Sequence, residues 1–456
     1  MPAPRRRHAR PTADDTPATT ARDLVARVLS AQAARFPEIE AVTLDTAALD
    51  TREAALAHAI YDAAVRRWLT LEWLVSRHLN QPFRDVEPAL RAVLLVGAAQ
   101  LALFDRIPVH AAIDEAVEWA KRRIRPGAGG MVNAVLRRVA GDLGERSDNH
   151  DDDAGDGTLL PLPDGGARAV ACGWPDDPLE AVAVRYSMPA PLLRRWRRSL
   201  SRDQVLGVCR HGLTRPPTVL NTRYAADPVP AGWTKPHDAD HSVVWTGPHD
   251  ALGTLLESRT DVWAQDAASA AAIESVDDLQ PGVIGDLCAG QGTKTRQLRA
   301  RFPQATIIAT DTDRSRYAVL RSAFESDERV RVLPPRHAID ELRGQADLVL
   351  LDVPCSNTGV LGRRVEARYR CTRAALDRLT GIQKQLIADT MPLLSPRGSI
   401  VYATCSIEPS ENDDIAEWAR SWHGLAAERT RRTLPAAPSG PASSVDGSFS
   451  TLLRRG

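Results

Sequence analysis

The sequence predicts a multidomain protein with an all-α N-terminal part, a small α+β lobe and a C-terminal α/β domain. Three observations carry that reading. A chain of 456 residues exceeds what one hydrophobic core organises. Its first third, from Ala21 to about Ala140, is patterned as helices. From Asp261 onward, short apolar runs alternate with helical stretches, the signature of βαβ units on a parallel sheet.

Taken in order, residues 1–20 are basic and then rich in Pro, Thr and Ala, the composition of a disordered tail. Residues 21–145 hold the helical segments Arg22–Arg35, Ala54–Leu79 and Pro88–Phe104. In 146–174 the carboxylates Asp148, Asp151, Asp152, Asp153 and Asp156 stand among Gly and Pro, which predicts an acidic flexible linker. Residues 175–260 open with apolar helices around 178–212. The short runs Thr218–Asn221 and Ser242–Trp245 then suggest a small β-containing lobe. Residues 261–456 form the α/β domain, with strands predicted at Val283–Asp286, Thr306–Thr310, Asp347–Leu351 and Ser399–Tyr402.

Composition narrows the class without naming a substrate. Hydrophobic residues make up 43% and charged residues 25%, ordinary for a globular domain. No apolar run reaches the roughly 18–20 residues of a membrane helix, and Met1–Arg10 lacks the apolar core of a secretory signal. The expectation is a cytoplasmic protein with no membrane partner. The six cysteines include no Cys-x-x-Cys pair, so neither a disulfide framework nor a metal site is expected. Formal net charge is zero, and only four of the 58 basic residues are lysine. Arginine suits phosphate contacts, but a GC-rich genome explains the bias equally well. The cluster Arg194–Arg198 reads as either a solvated helix face or a contact to an RNA backbone, and His110 as a helix-packing residue.

Three strand ends carry chemistry. Asp286–Thr295 follows one strand and opens a helix. Its glycines, Gly290 and Gly292, let backbone approach a ligand at a helix N-terminus. The spacing is not that of a P-loop, because Thr293 separates Gly292 from Lys294. Asp311 ends the next strand, where a carboxylate can bind ribose hydroxyls. The pair favours a nucleoside-containing cofactor, against the alternative of a tight turn and a helix-capping Asp. Further on, Asp352-Val353-Pro354-Cys355-Ser356 and Ala403-Thr404-Cys405-Ser406 place two thiols and a carboxylate at the same edge of one sheet.

That combination answers a specific chemical difficulty. Carbon 5 of cytosine is too poor a nucleophile to attack a sulfonium methyl group. A thiolate adding at carbon 6 makes carbon 5 enamine-like, and a carboxyl group near N3 shares a proton as charge builds on the ring. A free thiol has a pKa near ~8.5, so the nucleophile needs surroundings that favour thiolate. Either cysteine alone reads more simply as a buried structural residue; the pair in these contexts does not.

These motifs, with Asp-x-Cys-Ala-x-x-Gly-x-Lys-Thr at Asp286–Thr295, resemble the RsmB (Sun/Fmu) family of bacterial 16S ribosomal RNA (cytosine-C5) methyltransferases. Ala264–Ser269, Asp446–Phe449 and Tyr186–Pro189 match the same family. Leu94–Leu101, Arg106–Val117 and Val132–Arg138 resemble the NusB-type helical domain that this family carries and most relatives lack. The resemblance covers most of the chain. It implies a NusB-like RNA-binding domain, a small RNA-binding lobe and a Rossmann-like methyltransferase domain. It also implies S-adenosylmethionine as cofactor and 16S ribosomal RNA as partner; a monomer is expected. By resemblance Cys405 is the nucleophile, Cys355 assists product release, and Asp352 contacts base and cofactor. Cys288, Ala289, Gly290, Gln291, Gly292, Thr293 and Lys294 would line the cofactor, and Asp311 would bind its ribose.

Three departures stand out. Gly290-Gln291-Gly292-Thr293 replaces the usual Ala-Pro-Gly-Gly. Pro334-Pro335-Arg336-His337 stands where an adenine-side Asp is usual. Gly362-Arg363-Arg364-Val365-Glu366 replaces the expected Arg-His-Pro-Asp, where flanking RNA is contacted. Two other readings remain open. A DNA cytosine methyltransferase would place its nucleophile in Pro-Cys-Gln, and a non-enzymatic assembly or antitermination factor would need only the NusB-like third. A cytosine methyltransferase acting on another RNA is also compatible.

Overall fold

The computed structural model describes residues 18–148, 159–435 and 440–455. The chain divides into two compact units, with the break between Ala190 and Pro191. The expected tail over 1–20 lies outside the described residues except for its last three positions.

The first unit is built on the helices Ala21–Arg35, Thr51–Arg66, Trp68–Ser76, Pro88–Leu103, Val109–Arg123 and Ala128–Asp142. Thr20 and Asp50 cap the first two by accepting the N–H groups of Asp23 and Glu53, which satisfies donors the helix cannot. The Pro88–Leu103 helix is buried from Ala92 through Ala102 and forms the centre of the unit, as a helix apolar on every side must. Gly97 lets the Ala128–Asp142 helix close on it, since a Cβ there would stand 2.5 Å from Leu136 Cδ1. The predicted helix Ala54–Leu79 breaks at Arg67. The Arg67 guanidinium is buried and donates to the carbonyls of Pro161 and Arg185.

Two expected boundaries are corrected in this unit. The linker assigned to 146–174 is in part a sheet: Leu143–Ser147 and Leu159–Pro161 both pair antiparallel with Ala167–Val170. The acidic core of the expected linker, 149–158, lies outside the described residues. Dense charge concealed strands whose inward residues, Leu160, Ala167 and Val170, are buried, while Arg146 neutralises Asp105, Asp148 and Asp164 around them. The lobe expected from 175 also starts later. The helix Pro178–Arg185 belongs to the first unit, where Thr70 donates to Val184 O and Leu69 N donates to Ser187 Oγ.

The second unit holds both the small lobe and the α/β domain. A four-stranded antiparallel sheet runs Thr234–Pro236, Ser242–Trp245, Val219–Asn221, Trp263–Ala264. Its last strand comes from beyond residue 260. Buried amides tie it onward: Asn221 Nδ2 donates to Gln265 Oε1, and Gln265 Nε2 to Gln297 Oε1.

The large sheet has seven strands in the order Val330–Val332, Thr306–Ala309, Val283–Asp286, Ala346–Asp352, Leu394–Thr404, Ser448–Arg455, Leu425–Thr433. The first five are parallel, Ser448–Arg455 pairs antiparallel with both of its neighbours, and Leu425–Thr433 therefore runs in the direction of the first five. All four predicted strands are among them. Alternation along Ala346–Asp352 fills both faces: Leu348 and Leu350 join one core cluster, Val349 and Leu351 the other. Each such burial stabilises by roughly 1.5–3 kcal/mol. Strand order reverses about Val283–Asp286, and in doubly wound sheets ligands bind outside the carboxyl ends at that point. No helix among the described residues is long and apolar enough to cross a membrane.

Candidate active site

The glycine turn leaves Val283–Asp286 and enters the helix Thr293–Arg301. Gly290 (φ 58°) and Gly292 (φ 91°) occupy the left-handed region, which glycine enters without steric cost. Gly292 is required twice over, because a Cβ there would meet Phe324 Cε2 at 2.6 Å. Asp311 holds the turn from the neighbouring strand: Gly290 N donates to its Oδ2 at 2.9 Å and Asp313 N to its Oδ1 at 2.8 Å. A carboxylate has about four acceptor positions, so Asp311 retains capacity for a ligand hydroxyl. Beneath the turn, Asp286 is fully buried; Thr295 Oγ1 donates to its Oδ2, and its Oδ1 has no partner among the described residues. Burial pushes its pKa up to about 7. Cys288 is likewise raised, first by burial and then by the charges of Asp286, Asp352 and Asp311, and stays a thiol.

The two remaining motif cysteines meet. Ala346–Asp352 and Leu394–Thr404 run parallel with Asp352 opposite Ala403, so both chains leave the sheet at one level. Cys355 Sγ and Cys405 Sγ, fifty positions apart, stand 3.2 Å from each other. Cys405 Sγ also lies 3.1 Å from Asn357 Oδ1 and donates to it. Since a thiol has one proton, the Cys355 thiol is the donor between the sulfurs. Cys355 is held well above the usual thiol range, first by that bond to Cys405 and then by burial. Asp352 receives Lys294 Nζ at 2.8 Å. Burial alone would discharge Lys294, but attraction to Asp352, with a contribution from Cys405, raises its pKa instead. A permanent ammonium thus faces the cysteine pair.

Glu411 locks the two cysteine loops together from below. It is fully buried and accepts from Ser356 N and Oγ, from Ser406 Oγ and from Gln383 Nε2. Burial raises its pKa against these bonds. Thr358 Oγ1 receives Ile407 N, and Thr404 Oγ1 donates to Asn412 Oδ1. Ser356 and Ser406 close the two cysteine motifs and Asn357 and Glu411 follow them, but sequence reasoning assigns none of the four a role. Their one signal is position beside the cysteines.

A cavity of about 540 Å³ opens on this arrangement. Of the expected residues it takes in Thr293, Lys294, Asp352 and Cys405; Cys288 to Gly292, Asp311 and Cys355 lie outside its lining. Its rim holds Arg363, whose Nε donates to Asp446 Oδ2 at 2.6 Å and whose Nη2 reaches Asp266 Oδ2 at 3.4 Å. Of the cluster Arg194–Arg198, Arg195 is internal: it pairs with buried Glu408, which also accepts Trp196 Nε1. Pro334 to His337 begin the helix Pro335–Leu342, whose first turn holds no acidic residue.

Comparison with known proteins places these features. Residues 19–141 match the NusB family, and residues 276–431 match the family described as 16S rRNA methyltransferase RsmB/F. A ribosomal RNA small subunit methyltransferase B from Xanthomonas campestris is 30% identical over 377 residues, covering 81% of this chain and 79% of that protein. Its counterpart from Erwinia tasmaniensis is 28% identical over 372 residues, covering 79% and 80%. The crystal structure of PH0851 shares the fold, with a TM-score of 0.69 at 20% identity over 96% of this chain and 99% of that one.

Proposed function

The chain belongs to the RsmB family of 16S ribosomal RNA methyltransferases, and on that premise we propose that it methylates carbon 5 of a cytosine in 16S ribosomal RNA through a covalent adduct with Cys405. The observation that carries this reading is the 3.2 Å approach of Cys355 and Cys405 beside the Lys294–Asp352 pair.

Cys405 faces the cavity while Cys355 stands behind it, so Cys405 reaches a substrate base. Its Sγ releases its proton to solvent beside the Lys294 ammonium and, as thiolate, bonds to carbon 6 of the ring. Negative charge then builds toward N3, where the Asp352–Lys294 pair shares a proton with it. S-adenosylmethionine supplies the methyl group that carbon 5 takes up. Solvent water takes the carbon-5 proton, the bonding pair left behind re-forms the double bond between carbons 5 and 6, and the carbon 6–sulfur bond breaks with its electron pair returning to Cys405 Sγ. Cys355 keeps its proton under these conditions and donates it as a hydrogen bond to the departing sulfur. For the cofactor, the glycine turn over Cys288–Lys294 offers close backbone approach and Asp311 a carboxylate for ribose hydroxyls. That fit rests on the left-handed glycines and the spare acceptor capacity of Asp311. The NusB-like first unit would supply further contacts to RNA.

Paired variants test the assignment. Cys405→Ala should abolish methyl transfer and form no protein–RNA bond. Cys355→Ala should still add to the base and stall at elimination, leaving a denaturant-stable adduct on a gel that requires both Cys405 and cofactor. An adduct from Cys405→Ala, absent from Cys355→Ala, would reverse the two roles. Full methylation by both variants would end the covalent reading.

A further inference from the structure

Three cations line the cavity that opens on Cys405, and they are differently engaged. Lys294 is paired with Asp352 at 2.8 Å. Arg363 is paired with Asp446 and Asp266 and donates to Pro217 O at 3.2 Å. The guanidinium of Arg364 is exposed and has neither an ion pair nor a hydrogen bond among the described residues. Its backbone, by contrast, is fixed. Arg363 N and Arg364 N both donate to Val360 O, Val360 N donates to Asn357 O, and Asn357 contacts Cys405. Arg364 therefore stands on a turn rigidly joined to the nucleophile loop, with its charge uncompensated.

An unneutralised guanidinium on a fixed rim is suited to an anion with two neighbouring oxygens, such as the non-bridging pair of a phosphodiester, which it grips with two parallel N–H donors. A nucleotide whose base descends to Cys405 carries its phosphodiester at the rim. Most protein–nucleic acid hydrogen bonds go to such phosphates and set register. The carboxylates Asp266 and Asp446, which would repel a phosphate here, are both engaged by Arg363, whose single charge offsets one of the two. We propose that Arg364 binds a backbone phosphate at or next to the target nucleotide and so positions the base over Cys405. This inference rests on the RNA-methylating reading above.

The test uses the full chain and an in vitro transcript of 16S ribosomal RNA, measuring affinity over a series of salt concentrations. Losing one phosphate contact should reduce the slope of log affinity against log salt by about 0.7–0.9. In Arg364→Gln we expect that reduction together with a Kd weaker by about two- to fivefold (an order-of-magnitude estimate for one solvent-exposed ionic contact). KM for RNA should rise more than kcat falls. Arg364→Lys should recover the salt slope, and S-adenosylmethionine affinity should be unchanged in both variants. Unaltered slope and affinity in Arg364→Gln, with a wild type that binds and methylates, would overturn the inference and leave the function standing. Loss of cofactor affinity instead would overturn it by assigning the guanidinium to the carboxylate of the cofactor. A wild type that neither binds nor methylates RNA would remove both readings.

Discussion

Cys288 and Cys405 both follow a strand of the same parallel sheet, yet their surroundings are opposite. Cys288 sits in the glycine turn among Asp286, Asp311 and Asp352, and burial with three carboxylates holds its proton on. Cys405 lines the cavity, receives a hydrogen bond from Cys355, and lies close enough to Lys294 to add to the attraction that holds the ammonium charged. A cysteine at a strand end is therefore not a nucleophile by location. Local charge decides. On the proposed function, one region would hold the cofactor and the other would react with the base.

Substitution can separate the two regions. Asp311→Ala should have the largest effect and confine it to binding. Losing a charge-assisted hydrogen bond costs about 1.5–3 kcal/mol, roughly ten- to a hundredfold in affinity for S-adenosylmethionine. Calorimetry reads this directly, and the alkylation rate of Cys405 should not move. If affinity is unchanged, Asp311 only braces the turn.

Lys294→Met separates the two thiols more finely. Removing the ammonium should slow iodoacetamide alkylation of Cys405 near neutral pH by up to about tenfold, the size of one lost attraction of roughly 1 kcal/mol between neighbouring charges. Peptide mapping should find Cys288 unreactive before and after. Equal labelling of both cysteines in the wild type would abolish the contrast.

Asp286, whose pKa of about 7 exceeds the ordinary 3.8, should touch this contrast least, because its titration acts on stability and on neither ligand binding nor thiol reactivity. A native state that keeps its proton longer than the unfolded chain is stabilised below pH 3.8, and that contribution is lost as pH rises through about 7. Each pKa unit corresponds to about 1.4 kcal/mol. Asp286→Asn keeps the hydrogen bond with Thr295 and removes the titration. The variant should therefore flatten the fall in Tm between pH 4 and 7, as scanning calorimetry would show. Parallel Tm profiles for wild type and variant would mean that Asp286 is already ionised in the fold.

Much of the α/β domain is legible in the sequence. The four predicted strands sit where the sheet has them because short apolar runs bounded by Gly, Pro and charge have few alternatives. The strands Leu425–Thr433 and Ser448–Arg455 are not legible in the same way. The first is charged and exposed along most of its length, so no apolar run marks it. Likewise the sheet over 143–170 is hidden by carboxylates whose arginine partners are distant in sequence, as Arg146 and Asp105 are.

Sequence alone settles the kinds of group present and their local settings: glycines at a strand-to-helix turn, a carboxylate three residues before one thiol, a second thiol in a like motif. Those depend on neighbours along the chain, where spacing is covalent. Folding is what sets Asp352 opposite Ala403 and so brings Cys355 and Cys405 to 3.2 Å. Folding also makes Glu411 bind both cysteine loops, and of two adjacent arginines it spends Arg363 on Asp446 while leaving Arg364 to solvent. Partners of that kind come from strand register and packing across tens of residues, and no local pattern encodes which charge will find which.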